Sequence, residues 1–154
     1  MSTAADTASS ERGRTILRWG LGGVLVVAGT GHLTAQREEF QAQVPDWMPI
    51  DPDAVVLASG VVEIVLGLAL LLVRRQRTAV GLVVAGFFVV IFPGNIAQFV
   101  EGTDAFGLDT AAKRFVRLFF QPVLVVWALW STGASRWLAA RWAARREAAR
   151  SGPA

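Results

Sequence analysis

Seven side chains in this sequence can hold a proton, a charge or a polar ligand within apolar surroundings: Glu63, His32, Ser59, Asn95, Gln98, Arg117 and Gln121. Glu63 is the most telling. It is the one charged residue in the apolar run Ala54–Val73. A helix of that length crosses the hydrocarbon of a bilayer. A carboxyl group near its middle costs roughly 2.5–3.5 kcal/mol on insertion scales unless it faces a partner or a cavity. A carboxylic acid and an imidazole, beside amides and under an apolar roof, suit a quinol-like ligand. One group takes a proton while another hydrogen-bonds the carbonyl. Neither a catalytic residue nor an enzymatic reaction is assigned on these grounds.

Spacing places the candidates on shared helix faces. Ser59, Glu63 and Gly67 are four residues apart in turn, Asn95 and Gln98 three, Arg117 and Gln121 four. Each set belongs to a different apolar run and to the same half of the membrane as His32. Four polar stripes turned to lipid would be costly, so they are expected to face one another. Two arrangements of Glu63 remain open. Paired with Arg117 it stays charged and fixes a helix–helix register. Facing only His32 and Asn95, it is expected to be the protonated acid. Plainer roles stand beside these. Asn95, Gln98 and Gln121 are suited to hydrogen-bonding between helices, His32 to a structural or solvated imidazole, and Arg117 to snorkelling toward headgroups.

The elements that must position these groups are helices. The expected architecture is all-α: a membrane four-helix bundle with a C-terminal amphipathic interfacial helix. Residues 1–15, rich in Ser, Thr, Ala and Asp, read as a disordered cytoplasmic tail. Residues 16–132 hold the bundle, with helices over about 16–33, 54–73, 78–100 and 110–130. Pro93 is expected to kink the third of these and free a carbonyl one turn earlier. Asp109 or Thr110 is the expected N-cap of the fourth. Residues 134–150 form the basic surface helix, with Trp137, Leu138 and Trp142 on one side. The other tryptophans, at 19, 127 and 130, read as interface belt.

Composition agrees with a membrane location: 53% of residues are hydrophobic and 18% charged, and mean hydropathy is +0.45. With no cysteine and a single histidine, thiol chemistry and Fe–S ligation are excluded and no metal site is expected. The basic residues flank apolar runs, so the lipid bilayer, not nucleic acid, is the expected partner. Arg12–Arg18, Arg74–Arg77 and the C-terminal arginines place both termini in the cytoplasm under the positive-inside rule, with the 36–53 and 101–112 loops outside.

Gly29-x-x-His32, Val44-Pro45-x-Trp47-x-Pro49, Ser59-Gly60-x-x-Glu63-x-x-x-Gly67, Phe92-Pro93-x-Asn95 and Arg117-x-x-x-Gln121 occur in that order. Together they resemble the DoxX-like family of small four-helix membrane proteins, over roughly residues 16–130. Gly94 departs from the Ala frequent in relatives. The family takes its name from a thiosulfate:quinone oxidoreductase subunit. The resemblance implies a component of a bacterial inner-membrane redox system, a quinone as ligand and no covalently bound cofactor. It also implies a soluble oxidoreductase partner, and leaves a homo-oligomer open. A proton-coupled small-molecule exporter and a non-catalytic scaffold for a partner oxidoreductase are the competing expectations.

Overall fold

A computed structural model describes residues 4–150. It is all-α, without strands among the described residues, and contains six helices: α1 (Ala4–Leu33), α2 (Arg37–Gln41), α3 (Pro52–Leu72), α4 (Arg77–Glu101), α5 (Ala111–Thr132) and α6 (Ala134–Arg150). Four of them, α1, α3, α4 and α5, are long and apolar enough to cross a membrane. Their up-and-down order puts α2 and the 42–51 and 102–110 loops at one end, called here the loop end. The N-terminal part of α1, the 73–76 turn and α6 lie at the other.

Caps define the helix starts. Asp51 accepts a hydrogen bond from the Ala54 amide, with Pro52 in the first turn. Thr110 does the same for Lys113 at α5, which selects between the two expected caps. Gly133, at φ 80°, turns the chain from α5 into α6, a conformation that glycine adopts without a steric penalty.

Two hairpins make up the bundle, α1 with α3 and α4 with α5, and α1 also meets α5. A seam of glycines joins α1 to α3. Gly22 faces Gly67 and Gly29 faces Gly60. A β-carbon on Gly67 would lie 2.7 Å from the Gly22 carbonyl oxygen, and one on Gly60 would lie 2.9 Å from that of Gly29. Both helices repeat glycine at seven residues, the period that keeps one stripe facing a partner along a left-handed crossing. Backbone meets backbone here, the small-residue contact of membrane helices. Leu21, Leu25, Leu70, Val84, Ala85, Phe88 and Ala128 form the buried apolar core.

Two expectations are corrected. The tail expected over residues 1–15 is helical from Ala4 on, while residues 1–3 lie outside the described residues. The order comes from distant partners. Glu11 pairs with Arg77 of α4 and Arg136 of α6, and Arg14 donates to the Trp130 carbonyl of α5. The 36–53 loop is the second: it carries the short helix α2 at Arg37–Gln41. Helix α6 is present over Ala134–Arg150 as expected, and its Arg141 stacks its guanidinium 4.8 Å from the Trp137 ring. At 100° per residue, Arg141 and Arg145 fall between Trp137 and Trp142.

Candidate functional site

Glu63 lies about 16 Å along α3 from its first residue, on the face turned to α1. Its β-carbon is 3.0 Å from where a side chain on Gly29 would begin. Helical side chains lean toward their own N-terminus. In the antiparallel α1–α3 pair, Glu63 therefore leans toward the loop end and His32, in the last turn of α1, leans down to meet it. The two are 7% and 6% exposed, His32 and Glu63 respectively, and His32 Nε2 lies 3.6 Å from Glu63 Oε2.

The histidine's other nitrogen settles its tautomer. His32 Nδ1 lies 3.3 Å from the Val56 carbonyl oxygen, which can only accept, so Nδ1 carries the proton. Nε2 then faces the carboxyl with a lone pair or a second proton. At 3.6 Å the two atoms are too far apart for a hydrogen bond, and one proton on either of them leaves the pair neutral overall. That is the state that a low-dielectric interior tolerates. Glu63 Oε2 has no hydrogen-bond partner.

Asn95 and Gln121 meet elsewhere, between α4 and α5. Asn95 Nδ2 donates to Gln121 Oε1 at 3.0 Å, and Gln121 Nε2 donates to the Phe88 carbonyl at 2.6 Å. Pro93 has no N–H for the Val89 carbonyl, and α4 nonetheless runs unbroken from Arg77 to Glu101. The carbonyl that gains a side-chain donor is its neighbour, Phe88, not the one that Pro93 frees. Asn95 Oδ1 is buried without a partner. Gln98 turns to the loop end, accepting from Gln43 and donating to the Thr103 carbonyl, each at 3.4 Å. Ser59 is half-buried, one position from the seam glycine Gly60.

The single polar pocket expected from the four stripes is thus divided. Each helical hairpin brings its own groups together: His32 with Glu63 inside α1–α3, Asn95 with Gln121 inside α4–α5. Of the three expected partners of Glu63, His32 is in place, while Asn95 bonds to Gln121 instead and Arg117 is not beside the carboxyl. Among the described residues Arg117 forms no ion pair with an acid. A double-mutant cycle on Asn95→Leu and Gln121→Leu should give a coupling of about 0.6 kcal/mol in unfolding free energy. Strict additivity would show that the α4–α5 contact does not rest on this bond.

Aromatic rings roof the His32–Glu63 pair. Phe40 of α2 lies over His32, ring centroids 3.4 Å apart. Phe106 meets Phe40 edge-on at 4.6 Å, and the Arg117 guanidinium lies 5.3 Å above Phe106. Helix α2 is held in place by Arg37, which grips Asp53 with two donors, and by Gln41, which donates to the same carboxylate. That hydrogen bonding pushes the Arg37 guanidinium pKa above its ordinary value. Phe106 has φ 55°, a backbone conformation rare outside glycine. Its amide donates to Glu39 Oε2 at 2.7 Å, so the strained loop residue is tied to α2. Neither phenylalanine stands out in the sequence, because each lies in an irregular loop or a single helical turn with no periodicity to mark it.

The model of one family matches residues 21–132, most of the chain, so the chain belongs to that family, whose description is "Domain of unknown function (DUF8561)". No curated protein and no solved structure matches.

Proposed function

We propose that this member of the DUF8561 family is a membrane component of a redox system that binds a quinone or a similar lipophilic molecule at the His32–Glu63 pair. The observation that carries the reading is a buried imidazole and carboxyl that share a gap of 3.6 Å, the carboxyl oxygen having no hydrogen-bond partner. A quinone carbonyl is an acceptor and a quinol hydroxyl a donor. Nε2 and Oε2, with one exchangeable proton between them, can answer either form. The resemblance of the motif residues to the DoxX-like family supports the same reading. The arginines at the N-terminal end support cytoplasmic termini, and the same resemblance supports a place in the bacterial inner membrane.

Equilibrium binding of decyl-ubiquinone to protein in lipid nanodiscs tests this. Glu63→Gln keeps the shape and removes the exchangeable proton, and is expected to weaken binding about tenfold. His32→Gln should do the same. Unchanged affinity in both variants sinks the reading.

Proton-coupled export is the second reading, favoured by the same exchangeable proton in an otherwise apolar helix. It predicts efflux in vesicles that needs a pH gradient and is lost in Glu63→Gln, with no quinone bound by the wild type.

A further inference from the structure

Beside the roof, at the loop end of α5, lies an open cleft of about 480 Å³ lined by Leu108, Ala112, Lys113, Val116, Arg117 and Phe120. Its walls are apolar, and its two cations differ. Lys113 Nζ already donates to Asp109 Oδ1 at 2.7 Å and to the Gly107 carbonyl, an arrangement that holds the Asp109 carboxyl below the usual carboxylate range. Among the described residues Arg117 has no such anion. Its guanidinium rests on the Phe106 ring, and its Nε is buried without a hydrogen-bond partner. Arg117 lies six residues into α5, about 9 Å along the axis, a depth at which an unneutralised cation is costly. Below it the lipid-facing flank of α5 continues with Phe120 and Val123, both more than half exposed.

We infer that this cleft binds one anionic phospholipid of the loop-end leaflet, its phosphate on Arg117 with Lys113 at the rim and its acyl chain along Val116, Phe120 and Val123. Charge complementarity selects the occupant. A guanidinium presents paired donors to phosphate oxygens, and the apolar wall below asks for a hydrocarbon chain. A zwitterionic lipid brings its own cation to a site that already has two. The inference concerns a different site from the His32–Glu63 pair and does not depend on what that pair binds.

Native mass spectrometry tests it on the full chain released from membranes containing equal phosphatidylglycerol and phosphatidylcholine. The wild type should retain one phosphatidylglycerol over phosphatidylcholine by about tenfold. Arg117→Gln should abolish the preference and Arg117→Lys should keep part of it. Val116→Trp fills the cleft at an exposed position and should also abolish retention, which keeps the test open if Arg117→Gln fails to fold. The paired change Arg141→Gln with Arg145→Gln on α6 should leave the preference intact. Equal retention of both lipids by the wild type overturns the inference. So does a preference that survives Arg117→Gln, or one that is lost only with the α6 arginines. Displacement of the lipid by millimolar inorganic phosphate would also overturn it, assigning the cleft to the free anion.

Discussion

Gly60→Leu is expected to cost more stability than any other single substitution along α3, with Gly29→Leu on α1 close behind. Even alanine is too large at these positions. A β-carbon at Gly29 would sit 2.5 Å from the Gly60 carbonyl oxygen, and one at Gly60 would sit 2.7 Å from the His32 β-carbon. The obstacle is backbone and the root of a side chain, neither of which can rotate away. The helices must separate, and overpacking of this kind costs about 1–3 kcal/mol for the alanine variants. The leucine variants lose the α1–α3 contact altogether. Gly23→Ala, on α1 with nothing within 4 Å of its added carbon, should be close to neutral and separates steric from propensity effects. Unfolding monitored by circular dichroism in mild detergent reads the series. If Gly60→Ala and Gly23→Ala unfold alike, backbone contact is not what joins α1 to α3. Because Glu63 and His32 lie at this seam, the same variants should also impair the pair.

The four spans were legible in the sequence because each is a run of apolar residues whose length alone fits a bilayer, and the structure moves their ends by only a few residues apart from α1. The early start of α1 was not legible. Ser, Thr and Asp at the N-terminus carry no local signal for order, and what orders Glu11 and Arg14 is found on α4, α5 and α6. Local composition cannot report partners so distant in the chain.

The candidate site divides along the same line. Spacing by three and four residues identified which polar groups share a face, and each of the three faces does meet a polar partner, Glu63 with His32 and Asn95 with Gln121. Which face meets which depends on the rotation of each helix about its axis. That rotation is set by the glycine seam, whose seven-residue period on both α1 and α3 was present in the sequence as Gly22, Gly29, Gly60 and Gly67. Those glycines signalled close approach in general. Matching the two intervals in antiparallel order would have placed Glu63 opposite α1 and away from Arg117. Trp127 shows the opposite limit. It reads as interface belt, yet its indole N–H donates to the Leu17 carbonyl at 2.9 Å, a tie between α5 and α1 that nothing local announces.

Arg18→Met should destabilise the bundle by about 3 kcal/mol, although the arginine has the look of a simple membrane-flanking charge. Arg18 is only 4% exposed. Its Nη1 donates to the Leu70 carbonyl at 2.6 Å and to that of Val73 at 3.3 Å. The last carbonyls of a helix have no intrahelical donor, and the C-terminal end of the helix dipole favours a cation. Methionine keeps much of the apolar stem and supplies no donor, so the last turn of α3 is left with buried, unpaired oxygens. Arg18→Lys restores a charge on a shorter reach and should recover about half of the loss. Arg12→Met, at an exposed position on the same helix, should change little. Equilibrium unfolding in detergent gives the three values, and hydrogen exchange at residues 70–73 tells where the loss falls. Full protection of that turn in Arg18→Met would show that the arginine does not cap it. If the turn frays, α3 keeps only the glycine seam to fix its rotation, and the approach of Glu63 to His32 at the far end of the same helix should loosen with it.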